Sequence, residues 1–152
     1  MWIGLNIVGL REMQYRLGII LIASALAGCM PWPHFHYRAP AVEGVVTNNG
    51  VPVQNAEINV SAEFSGEQQK GVTDSNGRFS TKPIREFMFF ASLLGDPLYG
   101  YTVTITNAEN QYEGFGEGHV GYAPEQLTVV CNLSKPIRLR SKKRYCAGPA
   151  NE

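Results

Sequence analysis

Residues 56 to 64, Ala-Glu-Ile-Asn-Val-Ser-Ala-Glu-Phe, alternate apolar and polar without a slip. That period of two describes a half-buried strand, one face to a core and one to water. The segment lies inside a longer patterned stretch, Val42 to Phe79. A strand from about Val42 to Thr47 precedes Asn48-Asn49-Gly50, a hairpin-type turn because Asn and Gly tolerate positive φ. Ser65 to Gln69 form a polar loop. Gly71-Val72-Thr73 and Arg78-Phe79-Ser80 flank Asp74-Ser75-Asn76-Gly77, which predicts a second hairpin. Asp74-x-Asn76-Gly77 superficially matches the start of a calcium loop, but the position that should supply the closing Glu is Arg85, so these residues are read as turn formers.

Later segments continue the theme. Tyr101, Val103 and Ile105 alternate with threonines, Asn107 to Asn110 make a turn, and Gln111 to Phe115 predict a return strand. Leu127, Val129, Cys131 and Leu133 give the last clear strand. Residues 83–95 carry both a helical stripe (Ile84, Phe87, Met88, Ala91, Leu94) and a strand-like alternation, and a strand running into an apolar loop is preferred. Phe87 to Phe90 are read as core before docking patch. Sixteen Gly, nine Pro and seven Tyr favour turns and strands. The 152 residues suffice for one domain, and 13 basic against 13 acidic side chains give no global field toward nucleic acid.

Gly44-x-Val46, Gly50-x-Pro52-Val53-x-x-Ala56-x-Ile58 and Thr73-Asp74-x-x-Gly77-x-Phe79 together resemble the carboxypeptidase regulatory-like, or transthyretin-like (prealbumin-like), superfamily. The resemblance spans Val42 to Phe79. It implies an all-β fold, an antiparallel β-sandwich of about seven strands with Greek-key connections, usually an accessory, adhesive or scaffold module. Hydroxyisourate hydrolases share that architecture and carry a C-terminal Tyr-Arg-Gly-Ser with catalytic histidines in strands. Here the chain ends Cys-Ala-Gly-Pro-Ala-Asn-Glu, and His34 and His36 precede the domain, so the expectation is no enzyme.

The N-terminal segment concerns location. Arg11 and Arg16 precede an uncharged apolar run, residues 17–27, too short to span a bilayer, which needs roughly 20 residues. A charged start, a short apolar run and a small-residue exit describe a signal peptide over 1–28. The exit, Leu26-Ala27-Gly28-Cys29, resembles the lipobox of bacterial lipoproteins. The resemblance implies that the Cys29 thiol receives a diacylglycerol and becomes the mature N-terminus. Met30 follows it and not Asp, which by the Gram-negative sorting rule implies the outer membrane, facing the periplasm. Met13 would make a tidier start than Met1. Without the leader about 120 residues remain, enough to bury a core without metal.

Residues 29–41 hold three prolines and read as an extended tether, with Trp32, Phe35 and Tyr37 suited to a membrane interface. His34 and His36 lie on one side of an extended chain, yet nothing nearby completes a metal set. The sandwich is expected over 42–140 and a basic tail over 141–152. Cys29 aside, Cys131 and Cys146 remain of the three cysteines, and in an oxidising compartment they are candidates to pair.

Candidate site residues are few. Gly114, Gly116 and Gly118 suggest a phosphate-binding loop, but no helix start or Lys-Ser/Thr pair follows, so a glycine-rich loop or bulged strand is read instead. Glu117 and His119 share a side if extended, and are the nearest approach to an acid–base pair. Tyr99, Tyr101, Tyr112, Phe115 and Tyr122 could form a binding surface. Six basic residues lie between 135 and 144 without an acid. Arg138 and Arg140 among them predict a solvated edge strand or a contact for anionic headgroups or glycans. No protease, hydrolase, nucleotide-binding or CxxC motif occurs. The expectation is therefore a non-enzymatic, membrane-anchored envelope lipoprotein with no cofactor and no metal. Its partners would be membrane lipid through acylated Cys29 and an envelope protein or polymer, not nucleic acid. The alternative is a small-molecule or glycan binder.

Overall fold

The protein is described by a computed structural model, over residues 15–20, 34–88, 97–139 and 142–148. The chain divides into two units, 1–32 and 33–152. In the first, residues 15–20 are helical, and the rest of the expected signal segment lies outside the described residues. No helix among the described residues is long and apolar enough to cross a membrane.

The second unit is an all-β sandwich. One sheet contains β2 (Ala41–Asn48), β3 (Val51–Pro52), β6 (Arg78–Ser80), β10 (Gln126–Asn132) and β13 (Cys146–Ala147), with β2 paired to β10, β3 and β6. The other runs in the order β5 (Gln68–Val72), β4 (Glu57–Ala62), β8 (Leu98–Asn107), β9 (Asn110–Val120). Two ribbons accompany them. One pairs β1 (His34–Ala39) with β7 (Ile84–Met88), the other β11 (Ile137–Leu139) with β12 (Lys142–Arg144).

The alternation seen in the sequence selects the faces. In β4, Ile58, Val60 and Ala62 are buried; in β10, Leu127, Val129 and Cys131; in β8, Tyr101, Val103 and Ile105. With Val42 and Val46 of β2 they form one core. Each such aliphatic side chain contributes about 1.5–3 kcal/mol relative to leaving it exposed. Phe64, the last apolar residue of the alternating run, is exposed, because β4 stops at Ala62 and a turn follows.

The first turn forms as its residues dictate. Asn49 (φ 51°) and Gly50 (φ 81°) are both left-handed, the hairpin geometry that matches strand twist. The second does something else. Asp74 Oδ1 accepts from Asn76 N and Arg78 N at 2.8 Å each, and Gly77 has φ 72°, so Asp74 is a turn former. Yet β5 pairs with β4 and β6 with β2. The turn thus carries the chain between sheets and is not a hairpin. Thr73, buried beside it, fixes the crossing by accepting from Ala56 N at 2.8 Å.

Three more expectations change. The strand β10 runs parallel to β2, Gln126 opposite Ala41 through Asn132 opposite Thr47, whereas the other pairings are antiparallel. Residues 34–39 of the expected tether form β1, and His36 is buried, 3.4 Å from Glu86 Oε2 through its Nε2. Arg38 Nε donates to the same carboxylate, which holds Glu86 below its ordinary carboxylate range. In the region 83–95, Ile84–Met88 is strand, Phe87 is half exposed and not core, and Phe89 to Gly95 lie outside the described residues.

Candidate functional site

The glycine-rich segment is the continuous strand β9. It pairs with β8 in one register as far as Thr104–Glu113, then slips by one residue, so that Val103 faces Phe115, Tyr101 faces Glu117 and Tyr99 faces His119. Gly114 is the extra residue, which makes this a β-bulge. The slip turns Phe115, Glu117 and His119 to the face occupied by Tyr99, Tyr101 and Val103, since directly opposed residues share a face.

A ladder of aromatic and polar groups results. The Tyr101 hydroxyl, on a fully buried side chain, donates to Glu117 Oε2 at 3.1 Å. Glu117 Oε1 lies 3.4 Å from His119 Nε2, and the His119 side chain is 66% exposed. Tyr99 stacks on Tyr101 at 6.2 Å between centroids, and Tyr101 on Phe115 at 6.3 Å. Burial, and then the Glu117 charge, push the Tyr101 phenol well above its ordinary range, and the Tyr99 phenol is raised for the same reasons. A tyrosine so placed stays protonated and donates. It anchors Glu117 and does not act as a base. Among the described residues no three His, Cys, Asp or Glu groups converge to hold a metal ion.

The basic tail covers the open edge of β9. Cys131 and Cys146 form a disulfide, S–S 2.00 Å, between opposed residues of β10 and β13. Beside it Tyr145 N donates to Glu113 O at 3.1 Å. Arg144 Nη1 donates to Gly116 O, and its guanidinium lies 5.9 Å from the Phe115 ring centroid. Tyr145 meets Tyr112 edge-on at 5.0 Å. A Cβ on Gly114 would stand 2.8 Å from Cys146 Sγ, so the bulge residue leaves room for the disulfide.

Of the residues singled out, Tyr101, Tyr112, Phe115, Glu117 and His119 do gather along this hairpin, with Tyr101 as interior and not surface. Tyr122 lies apart, its ring 5.0 Å from His36. Arg138 is exposed in β11, which pairs with β12 and is not an edge of either main sheet, and Arg140 lies outside the described residues. Arg144 counted only as part of the basic run, and Tyr145 and Glu113 carried no sequence signal, because their roles depend on where the tail returns. An open depression of about 490 Å³ between β5 and β7, lined by Gln68, Gln69, Pro83 and Arg85 among others, sits at the opposite edge of the β9 sheet.

Fold and site thus define a disulfide-tied, all-β sandwich with a buttressed hairpin. The chain belongs to the family described as Domain of unknown function (DUF6795), which matches residues 42–136. The match runs from β2 to just before β11. It omits β1 and Cys146. No curated protein matches the chain.

Proposed function

We propose that this protein is a non-enzymatic lipoprotein of the bacterial cell envelope, anchored through acylated Cys29 and presenting its sandwich to an envelope protein or polymer. The observation that carries this reading is the Cys131–Cys146 disulfide. With three cysteines in the chain, it leaves Cys29 as the remaining thiol. That thiol stands at the end of the lipobox-like Leu26-Ala27-Gly28-Cys29, behind a signal-like apolar run. A structural disulfide also suits an oxidising, exported location. Two or three acyl chains give stable anchoring, where a single chain is marginal.

The Tyr101–Glu117–His119 arrangement supports a scaffold role, because Tyr101 is interior and Tyr99, Tyr112 and Phe115 pack against the core and do not stand free to stack on a sugar or small ligand. Met30 after the cysteine favours the outer membrane, and the resemblance of Val42 to Phe79 to regulatory-like sandwich modules suits display over catalysis. The test is metabolic labelling. Palmitate should enter the full-length protein, and Cys29→Ala should abolish incorporation. Undiminished labelling of that variant overturns the reading.

A further inference from the structure

We propose that the outward face of the β1–β7 ribbon is a lipid-contact surface that seats the domain on a bilayer; it rests on the anchored reading above. Phe35 lies opposite Phe87 and Tyr37 opposite Arg85, so the four side chains share one face. His36 and Glu86 pair on the other face, where His36 is buried. The Phe35 and Phe87 rings meet at 5.1 Å between centroids, yet they remain 68% and 50% exposed. One step along the ribbon, about 6.6 Å away, the Arg85 guanidinium lies 5.2 Å from the Tyr37 ring centroid. The Tyr37 hydroxyl donates to Glu125 Oε1 at 2.9 Å.

That layering, apolar rings at the tip and then a phenol with a guanidinium, matches a membrane interface. Rings partition into the boundary with the acyl chains, while arginine reaches headgroup phosphate. Two rings make too small a patch for a stable protein interface, which needs roughly 800 Å² from each partner. They suffice for a surface already held at the membrane. Phe35 follows Cys29 by six residues, at most about 20 Å of chain, so an acylated Cys29 would keep the ribbon at high effective concentration against lipid.

The test uses the full chain, purified from cells and reconstituted into phosphatidylethanolamine–phosphatidylglycerol vesicles, with Trp2→Phe and Trp32→Phe to silence native fluorescence. Phe35→Trp reports the ribbon. Val51→Trp, exposed in β3 opposite Asn48 at the far end of β2, is the control, and Phe87→Trp is the second ribbon probe should the first fail to form the Cys131–Cys146 bond. Lipids brominated high on their acyl chains should quench the ribbon probe several-fold more than the control. Equal quenching, or none at either position, overturns the proposal. Palmitate incorporation, read on the same preparation, separates the two ideas. Label without ribbon quenching keeps the anchor and overturns the ribbon contact. Ribbon quenching without label keeps the contact and overturns the anchor.

Discussion

Gly114 and Cys146 are fitted to one another: a Cβ on Gly114 would meet Cys146 Sγ at 2.8 Å and Val103 O at 3.0 Å. The bulge in β9 therefore lies directly against the disulfide at β13, and a side chain at position 114 would collide with the sulfur. Through this contact the tail closes the edge of the β9 sheet, and an open edge is the part of a sheet most exposed to unwanted pairing.

The first prediction follows from that fit. Gly114→Val should destabilise the domain by about 1–3 kcal/mol, the usual cost of overpacking. Combined with Cys131→Ala and Cys146→Ala the penalty should shrink, since the sulfur is gone, though the Val103 carbonyl keeps it above zero. A double-mutant cycle by urea unfolding measures the coupling. Full additivity would show that the disulfide and the bulge are independent.

The second concerns the disulfide itself. It closes a sequence separation of 15 residues, and chain entropy assigns such a loop about 3 kcal/mol. Cys131→Ala with Cys146→Ala should lower the unfolding free energy by about that amount. Hydrogen exchange should show the amide of Tyr145, which bonds to Glu113 O, losing protection before those of Val60 and Val103 at the sheet centre. Unchanged protection at Tyr145 would mean that the tail is held by other contacts.

Much of the sandwich was legible because period-two alternation states which face of a strand is buried. It does not state which strand lies beside it. Thus β2, β4, β8 and β10 could be read from the residues. The parallel pairing of β2 with β10 and the departure of β6 from β5 could not, since both depend on contacts distant in sequence. The ladder shows the limit sharply. Counting back from the Asn107–Asn110 turn without a bulge places Gly116, not Glu117, opposite Tyr101. One inserted residue at Gly114 turns Glu117 and His119 to the other face. Proline in residues 31–40 suggested a tether, but residues 34–39 pair with β7, and His36 and Arg38 converge there on Glu86, a carboxylate some 50 positions on.

The third prediction concerns that carboxylate. Arg38 first, with His36 in addition, lowers the Glu86 pKa. A carboxyl depressed in the folded state contributes stability above its unfolded pKa of about 4.3, and the contribution is lost as pH falls through the folded value. The Glu86 side chain is 44% exposed, so Glu86→Gln should cost less than about 1 kcal/mol at neutral pH. It should also flatten the stability profile below pH 4. Loss of several kcal/mol instead would identify the ribbon as part of the cooperative core.

The fourth concerns alkaline pH. Tyr101, Tyr99 and Tyr37 all have phenols raised above their ordinary range, the first two by burial and then the Glu117 charge, Tyr37 by its hydrogen bond to Glu125 and then burial. The ionised phenol is the disfavoured form in the fold, so the folded chain keeps these protons to higher pH than the unfolded one. Stability is then full below the unfolded pKa of about 10 and falls as pH rises beyond it. Tyr101→Phe removes the most deeply buried of the three. At neutral pH the variant should lose about 1 kcal/mol with the hydrogen bond to Glu117, whose carboxylate can turn to water. Above pH 10 its stability should decline less steeply than that of the unmodified protein, so the two curves converge. Parallel curves through pH 11 would show that Tyr101 ionises as readily in the fold as in the unfolded chain, and that the burial of its ring does not extend to its hydroxyl.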